Sequence, residues 1–257
     1  QLGDDIIGSD YEGRYDENLG SSISLSSNGK IIAIGAYSYK YGKGRVVIYN
    51  YDESNDQWNL DIYSQAIGFD TNSRLGNSVS LNNDGTVFAV GSLSSNSGYS
   101  YVWIYKKSGS SWSFTKQLTA EDQYSDFGSS VSLNSDGSII TIGAYSHGSN
   151  DEGRINIYDE SDNWNQLGSS IDGVNSNDRY GGSVSLSDNG KIVAFGSRIG
   201  TIGNSTRGST NVRIYKFVEE LTMTISSTNV NNGANSNNSS IELKFESNKP
   251  TEDFSSD

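Results

Sequence analysis

Tyrosine, aspartate and a single histidine are the residues here with chemistry to offer. They gather in Tyr37-Ser-Tyr-Lys-Tyr-Gly-Lys43, Tyr145-Ser-His147, Tyr11 to Tyr15 and Asp122-Gln-Tyr-Ser-Asp126. Aromatic rings beside Asp, Asn and Ser suit sugar recognition, because a ring face covers a pyranose while the polar groups take its hydroxyls. Tyr37, Tyr39, Tyr41, Tyr145 and His147 are therefore the candidate ligand-binding set. The alternative is that these tyrosines pack between loops and only shade a channel mouth.

Catalytic and metal chemistry find less support. With no cysteine and one histidine, Ser-His-Asp catalysis has only His147 to use, and no Gly-x-Ser-x-Gly elbow accompanies it. A lone histidine with no fixed carboxylate partner reads as a surface residue. The acids Asp10, Glu12, Asp16, Asp122, Asp126, Asp151 and Glu152 offer oxygens for calcium, but their spacing follows no known loop, so no cofactor is expected. Arg45, Arg154 and Arg213 read as ion-pair partners on the surface. Paired carboxylates leave glycoside hydrolysis as a distant alternative.

The elements that position these residues come from a repeat. Gly128-Ser-Ser-Val-Ser-Leu-Asn-Ser-Asp-Gly-Ser-Ile-Ile-Thr-Ile-Gly-Ala144 has close copies starting at Gly20, Gly76 and Gly181, at intervals of 56, 52 and 53 residues. Such a period marks β-propeller blades. Each copy predicts an alternating strand (Ile23 and Leu25 pointing one way, the serines the other), a turn carrying Asn-Gly or Asp-Gly, and a wholly apolar strand such as Ile31–Gly35. A third strand follows, Arg45–Tyr49 in the first copy, and a fourth starts near Trp58, Trp112 and Trp164. Gln1-Leu-Gly3 copies the end of Trp164-Asn-Gln-Leu-Gly168. The last repeat lacks that strand after Tyr215, so the N-terminus is expected to supply it. Beyond Val218, Leu221–Ile225 and Ile241–Phe245 alternate as two half-buried strands.

Composition narrows the setting. One third of the residues are apolar and the net charge is -13, which excludes the basic footprint that nucleic acid or an anionic membrane requires. The longest apolar run, about six residues, cannot span a bilayer. The opening Gln1-Leu-Gly-Asp-Asp has neither an initiator Met nor a leader, and reads as part of a longer product.

The recurring Leu19-Gly20, Leu75-Gly76, Phe127-Gly128 and Tyr180-Gly181, each followed by Ile34-Gly-Ala36 or its counterpart, resemble the signatures of FG-GAP repeats. In order, Trp-x-Gln-Leu-Gly, Ser-Val-Ser-Leu-Ser, Asp-Gly, Ile-Gly-Ala and Gly-Arg-Val-x-Ile-Tyr look like FG-GAP-type propellers of large secreted or surface proteins of marine microbes. The tail resembles the first half of a bacterial-type Ig-like domain. Calcium loops of the integrin type are absent from the turns, which hold only sequences such as Ser26-Ser-Asn-Gly29.

The expectation is an all-β protein. Residues 1–218 form an FG-GAP-like propeller of four visible four-stranded blades, with repeats near 1–58, 59–114, 115–165 and 166–218. Residues 219–257 begin an Ig-like β-sandwich or provide exchanged strands. The resemblance implies a non-enzymatic structural or adhesive module of an extracellular surface or filament protein, acting through protein–protein contacts with other copies or surface proteins. A glycan-binding module using the tyrosine loop face is the alternative. Asn204, Asn237 and Asn238 open N-glycosylation triplets.

Overall fold

The structure, a computed structural model, describes residues 1–8, 17–61, 66–93, 98–197 and 211–217. Seventeen strands lie within them: β1 (Leu19–Leu25), β2 (Ile31–Ala36), β3 (Arg45–Asp52), β4 (Gln57–Leu60), β5 (Ala66–Ile67), β6 (Ser78–Leu81), β7 (Val87–Ser92), β8 (Tyr101–Ser108), β9 (Ser111–Thr119), β10 (Phe127–Leu133), β11 (Ile139–Ala144), β12 (Arg154–Asp159), β13 (Asn165–Gln166), β14 (Ile171–Asp172), β15 (Tyr180–Leu186), β16 (Ile192–Ser197) and β17 (Val212–Lys216). They form four antiparallel sheets in the orders β1-β2-β3-β4, β6-β7-β8-β9, β10-β11-β12-β13 and β15-β16-β17. These are four propeller blades.

Each hairpin forms for a local reason. Gly29, Gly85, Gly137 and Gly190 have positive φ, and the preceding Asn or Asp caps the turn with its side chain. The Asp136 carboxylate accepts from Ser138 Oγ at 2.6 Å and Ser138 N–H at 2.9 Å, bonds that hold this acid below its ordinary pKa. Asn28 and Asp84 accept from Lys30 and Thr86 in the same way. One side-chain oxygen of each of these residues is thus engaged within the turn itself.

Blades pack through apolar strands with a small residue at the closest approach. Val79 and Leu81 of blade two meet Val46 and Ile48 of blade one; Val131 and Leu133 meet Val102 and Ile104; Leu186 meets Ile155 and Ile157. The described residues therefore hold three interblade cores, one for each junction between consecutive blades. The serines of the first strands bolt these junctions. Ser22, Ser78 and Ser130 donate to the carbonyls of Gly76, Gly128 and Gly181 in the next blade, at 2.8, 2.6 and 2.8 Å.

Several expectations change. Gln1–Gly3 lies on blade one, not blade four: Gly3 N–H donates to Asp56 Oδ1 (2.9 Å) and the Trp58 indole donates to the Leu2 carbonyl (3.1 Å). Blade four accordingly has three strands among the described residues. Ile23 and Leu25 point the same way as Val79 and Leu81, yet they are exposed, because among the described residues no blade packs on that face of blade one. The sheets also close later than the repeat boundaries, since β5 returns to pair with β3 and β14 with β12. Residues 219–257, Tyr11–Tyr15 and the triplets at Asn204, Asn237 and Asn238 lie outside the described residues. Among the described residues no helix is long and apolar enough to cross a membrane.

Candidate functional site

The connections between second and third strands share one face with the interblade loops, and backbone hydrogen bonds tie them together. Asn72 N–H donates to the Tyr41 carbonyl (3.3 Å) and Arg74 N–H to that of Gly42 (2.8 Å); at the third junction Arg179 N–H donates to the Asp151 carbonyl (3.0 Å). Lys40 and Tyr41 themselves sit at positive φ. This is a costly conformation for a non-glycine residue, and Tyr41 is half exposed.

At the first junction these loops border a cleft of about 480 Å³ lined by Tyr37, Ser38, Tyr41, Gly42, Thr71, Asn72 and Arg74. Two tyrosines, a guanidinium and the polar groups of Ser38, Thr71 and Asn72 make a surface that can hold a ring and hydrogen-bond around its edge. Arg74 is exposed, and it takes part in none of the salt bridges found among the described residues. Its counterpart Arg179 is ion-paired with Asp151 at 2.5 Å. The difference lies in the facing loop, where Gly42 takes the place of Asp151.

The other predicted residues have different surroundings. Tyr39 is not in the cleft: its ring stacks under the Arg45 guanidinium at 4.2 Å. Arg45 in turn pairs at 2.6 Å with the buried Glu17, so it is no surface pair as expected from sequence. Arg213 lies over the Tyr180 ring at 4.7 Å. Tyr145, the repeat counterpart of Tyr37, is half-buried in the third blade's loop, far along the chain from the cleft.

His147 corrects the reading of an unpartnered surface histidine. Its Nδ1 lies 3.0 Å from Asp122 Oδ2, and its side chain is largely covered. Burial, followed by the nearby Arg154 charge, lowers its pKa, while Asp122 pulls the other way. At neutral pH it is therefore a neutral imidazole donating to Asp122. Arg154 forks onto Asp172 (2.6 and 3.0 Å) and reaches Glu121, which holds the Asp172 carboxyl low. Burial pushes the Tyr158 phenol up to about 12. The cavity these residues border measures about 10 Å³, room for roughly one water. This cluster knits loops together. Among the described residues no three His, Asp or Glu side chains converge as metal ligands.

Sequence reading missed Thr71, Asn72 and Arg74. A usable signal was present, since Arg74-Leu75-Gly76 and Arg179-Tyr180-Gly181 occupy one place in the repeat while Gly42 and Asp151 differ opposite them.

Four face-packed antiparallel sheets define the class as a β-propeller. No family model matches the chain, and no curated protein matches it. Among solved structures it is similar to a protein of Bacteroides uniformis described as a 6-phosphogluconolactonase, at 15% identity and a TM-score of 0.51, covering 78% of this chain and 51% of that one. It is also similar to hydrazine synthase of Kuenenia stuttgartiensis, at 15% identity and 0.49, covering 81% and 49%. The chain spans about half the length of these structures. At such identity the likeness is one of fold.

Proposed function

We propose that the chain is a non-enzymatic adhesive module of an extracellular surface or filament protein, whose loop face binds carbohydrate in the Tyr37–Tyr41–Arg74 cleft. The observation that carries this reading is Arg74, a guanidinium with no counter-ion among the described residues, beside two tyrosine rings. A saccharide with a carboxylate, such as a uronic acid, would stack on Tyr41 and supply the missing anion. The FG-GAP likeness, resting on the fourfold recurrence of the Gly20-to-Ala36 pattern, supports the surface-protein setting.

Screening the chain against neutral and uronic-acid glycans, followed by calorimetry, tests the proposal. Binding to uronic-acid glycans is expected, with Arg74→Ala weakening it roughly tenfold to a hundredfold, the usual range for a charge-assisted hydrogen bond. Tyr41→Ala is expected to weaken neutral and acidic sugars alike. An array without binders, or binding indifferent to both substitutions, would overturn the reading.

A further inference from the structure

The two ends of the blade row are complementary halves of the junction that the chain builds three times internally. Five contacts recur at every internal junction. A small-residue strand touches the next blade's bulge, so a Cβ on Gly35, Gly91 or Gly143 would meet the carbonyl oxygen of Gly76, Gly128 or Gly181 at 2.1, 2.0 and 2.0 Å. A serine donates to that same carbonyl, as described above. A second serine accepts from a leucine N–H: Ser24 from Leu81, Ser80 from Leu133, Ser132 from Leu186. Turn backbones form a ladder, with Ser27 N–H to Asn83 O, Asn83 N–H to Ser135 O and Ser135 N–H to Asp188 O. Finally, Ile31, Val87 and Ile139 press on Gly85, Gly137 and Gly190 of the next turn.

Among the described residues, each contact has an unused half at both ends. Blade four presents Gly196, Ser183, Ser185, the Asp188 N–H and Ile192; blade one presents Gly20, the Leu25 N–H, the Ser27 carbonyl and Gly29. Nothing among the described residues lies within 4 Å of a Cβ placed on Gly20, Gly29 or Gly196. The apolar positions agree. Ile23 is 66% exposed where Val79 is 8%, and Val212 is 70% exposed where Val102 is 0%.

The N-terminal segment extends the match. Gln1-Leu-Gly-Asp-Asp-Ile-Ile-Gly8 aligns with Gln166-Leu-Gly-Ser-Ser-Ile-Asp-Gly173, the outer edge of blade three. In blade three Leu167 packs toward blade four and Ile171 pairs with β12. In blade one Leu2 and Ile6 border a groove with Ile23, Ile32 and Ile34. Blade one thus carries the outer edge of a preceding blade, and blade four lacks that edge among the described residues.

We propose that these end faces bind each other between copies, blade four of one chain joining blade one of a second copy head to tail. The second copy's residues 1–8 then complete the sheet beyond β17, and its Ile23 and Leu25 cover Val212 and Ile214. Main-chain pairing at an open edge gives such a joint its affinity, and the repeated contacts give it register. A head-to-tail contact propagates into a ring or a filament according to its rotation. This inference is separate from the carbohydrate cleft, which lies on the loop face.

Sedimentation of the chain and three variants tests it. Gly196→Val adds a side chain where isolated blade four has room but the joint has none; Ile23→Asp places a charge on the opposite face. Ile214→Asp serves as a second blade-four variant, and circular dichroism checks that all are folded. The unaltered chain should form multiples of 27.8 kDa that grow with concentration. Each variant alone should remain a single chain, while Gly196→Val mixed with Ile23→Asp should give a two-chain species and nothing larger. The unaltered chain staying at 27.8 kDa throughout, which includes the case of its own residues covering the ends, would overturn the proposal. So would assembly of folded Gly196→Val and Ile214→Asp like the unaltered chain.

Discussion

His147 is the only histidine, so its titration can be followed without overlap. Its pKa is depressed in the folded state, which means the folded chain binds fewer protons than the unfolded chain as pH falls through the ordinary value of 6.5. Stability is therefore full above that value, declines as pH drops through it, and levels off below the folded pKa. Urea midpoints at pH 7.5 and pH 5.5 should show this loss in the unaltered chain and a smaller one in His147→Gln. Equal losses would mean that other groups carry the acid response. Its surroundings were only partly legible from sequence. The tyrosines of the loop face could be named from their clustering, but Asp122 meets His147 across 25 positions, and nothing local to either residue announces that contact. Arg74 was overlooked because its meaning lies in what faces it, a glycine where the third junction has aspartate.

At the scale of the strand, the same residue type has opposite worth at equivalent places. A Cβ on Gly143 would lie 2.0 Å from the Gly181 carbonyl oxygen, and backbone at that distance cannot give way cheaply; Gly196 meets nothing within 4 Å. Gly143→Ala should therefore destabilise by about 3 kcal/mol or more, at the upper end of overpacking costs. Gly196→Ala should be neutral or stabilise by up to about 0.5 kcal/mol, as removing a strand glycine does. Comparable losses for both would show that blade four's end face is covered. The strand pattern itself was readable, because alternation in Ser22–Leu25 and the apolar run Ile31–Gly35 each admit one placement in a blade. The task of the serines was not. They read only as the face opposite Ile23 and Leu25, whereas Ser24, Ser80 and Ser132 accept from the next blade's backbone, a role that appears only once blades are stacked.

At the scale of the molecule, the described residues form three junctions among four blades, a linear stack in which each blade is supported by its neighbours. Among the described residues, blades two and three have a partner on both faces, and blades one and four on one each. Local opening should follow that order, since opening free energy tracks the packed contacts that must be broken. Hydrogen exchange in dilute solution should find the amides of β7 and β11 slowest, with β1 and β17 exchanging roughly tenfold or more faster. A ring closed within the chain would instead give four similar blades. Uniform protection at low concentration would therefore contradict the open stack. If end faces meet between copies, the same measurement at high concentration should slow β1 and β17 selectively and leave β7 and β11 unchanged. The concentration dependence then separates stability that belongs to a blade from stability that the next copy lends it.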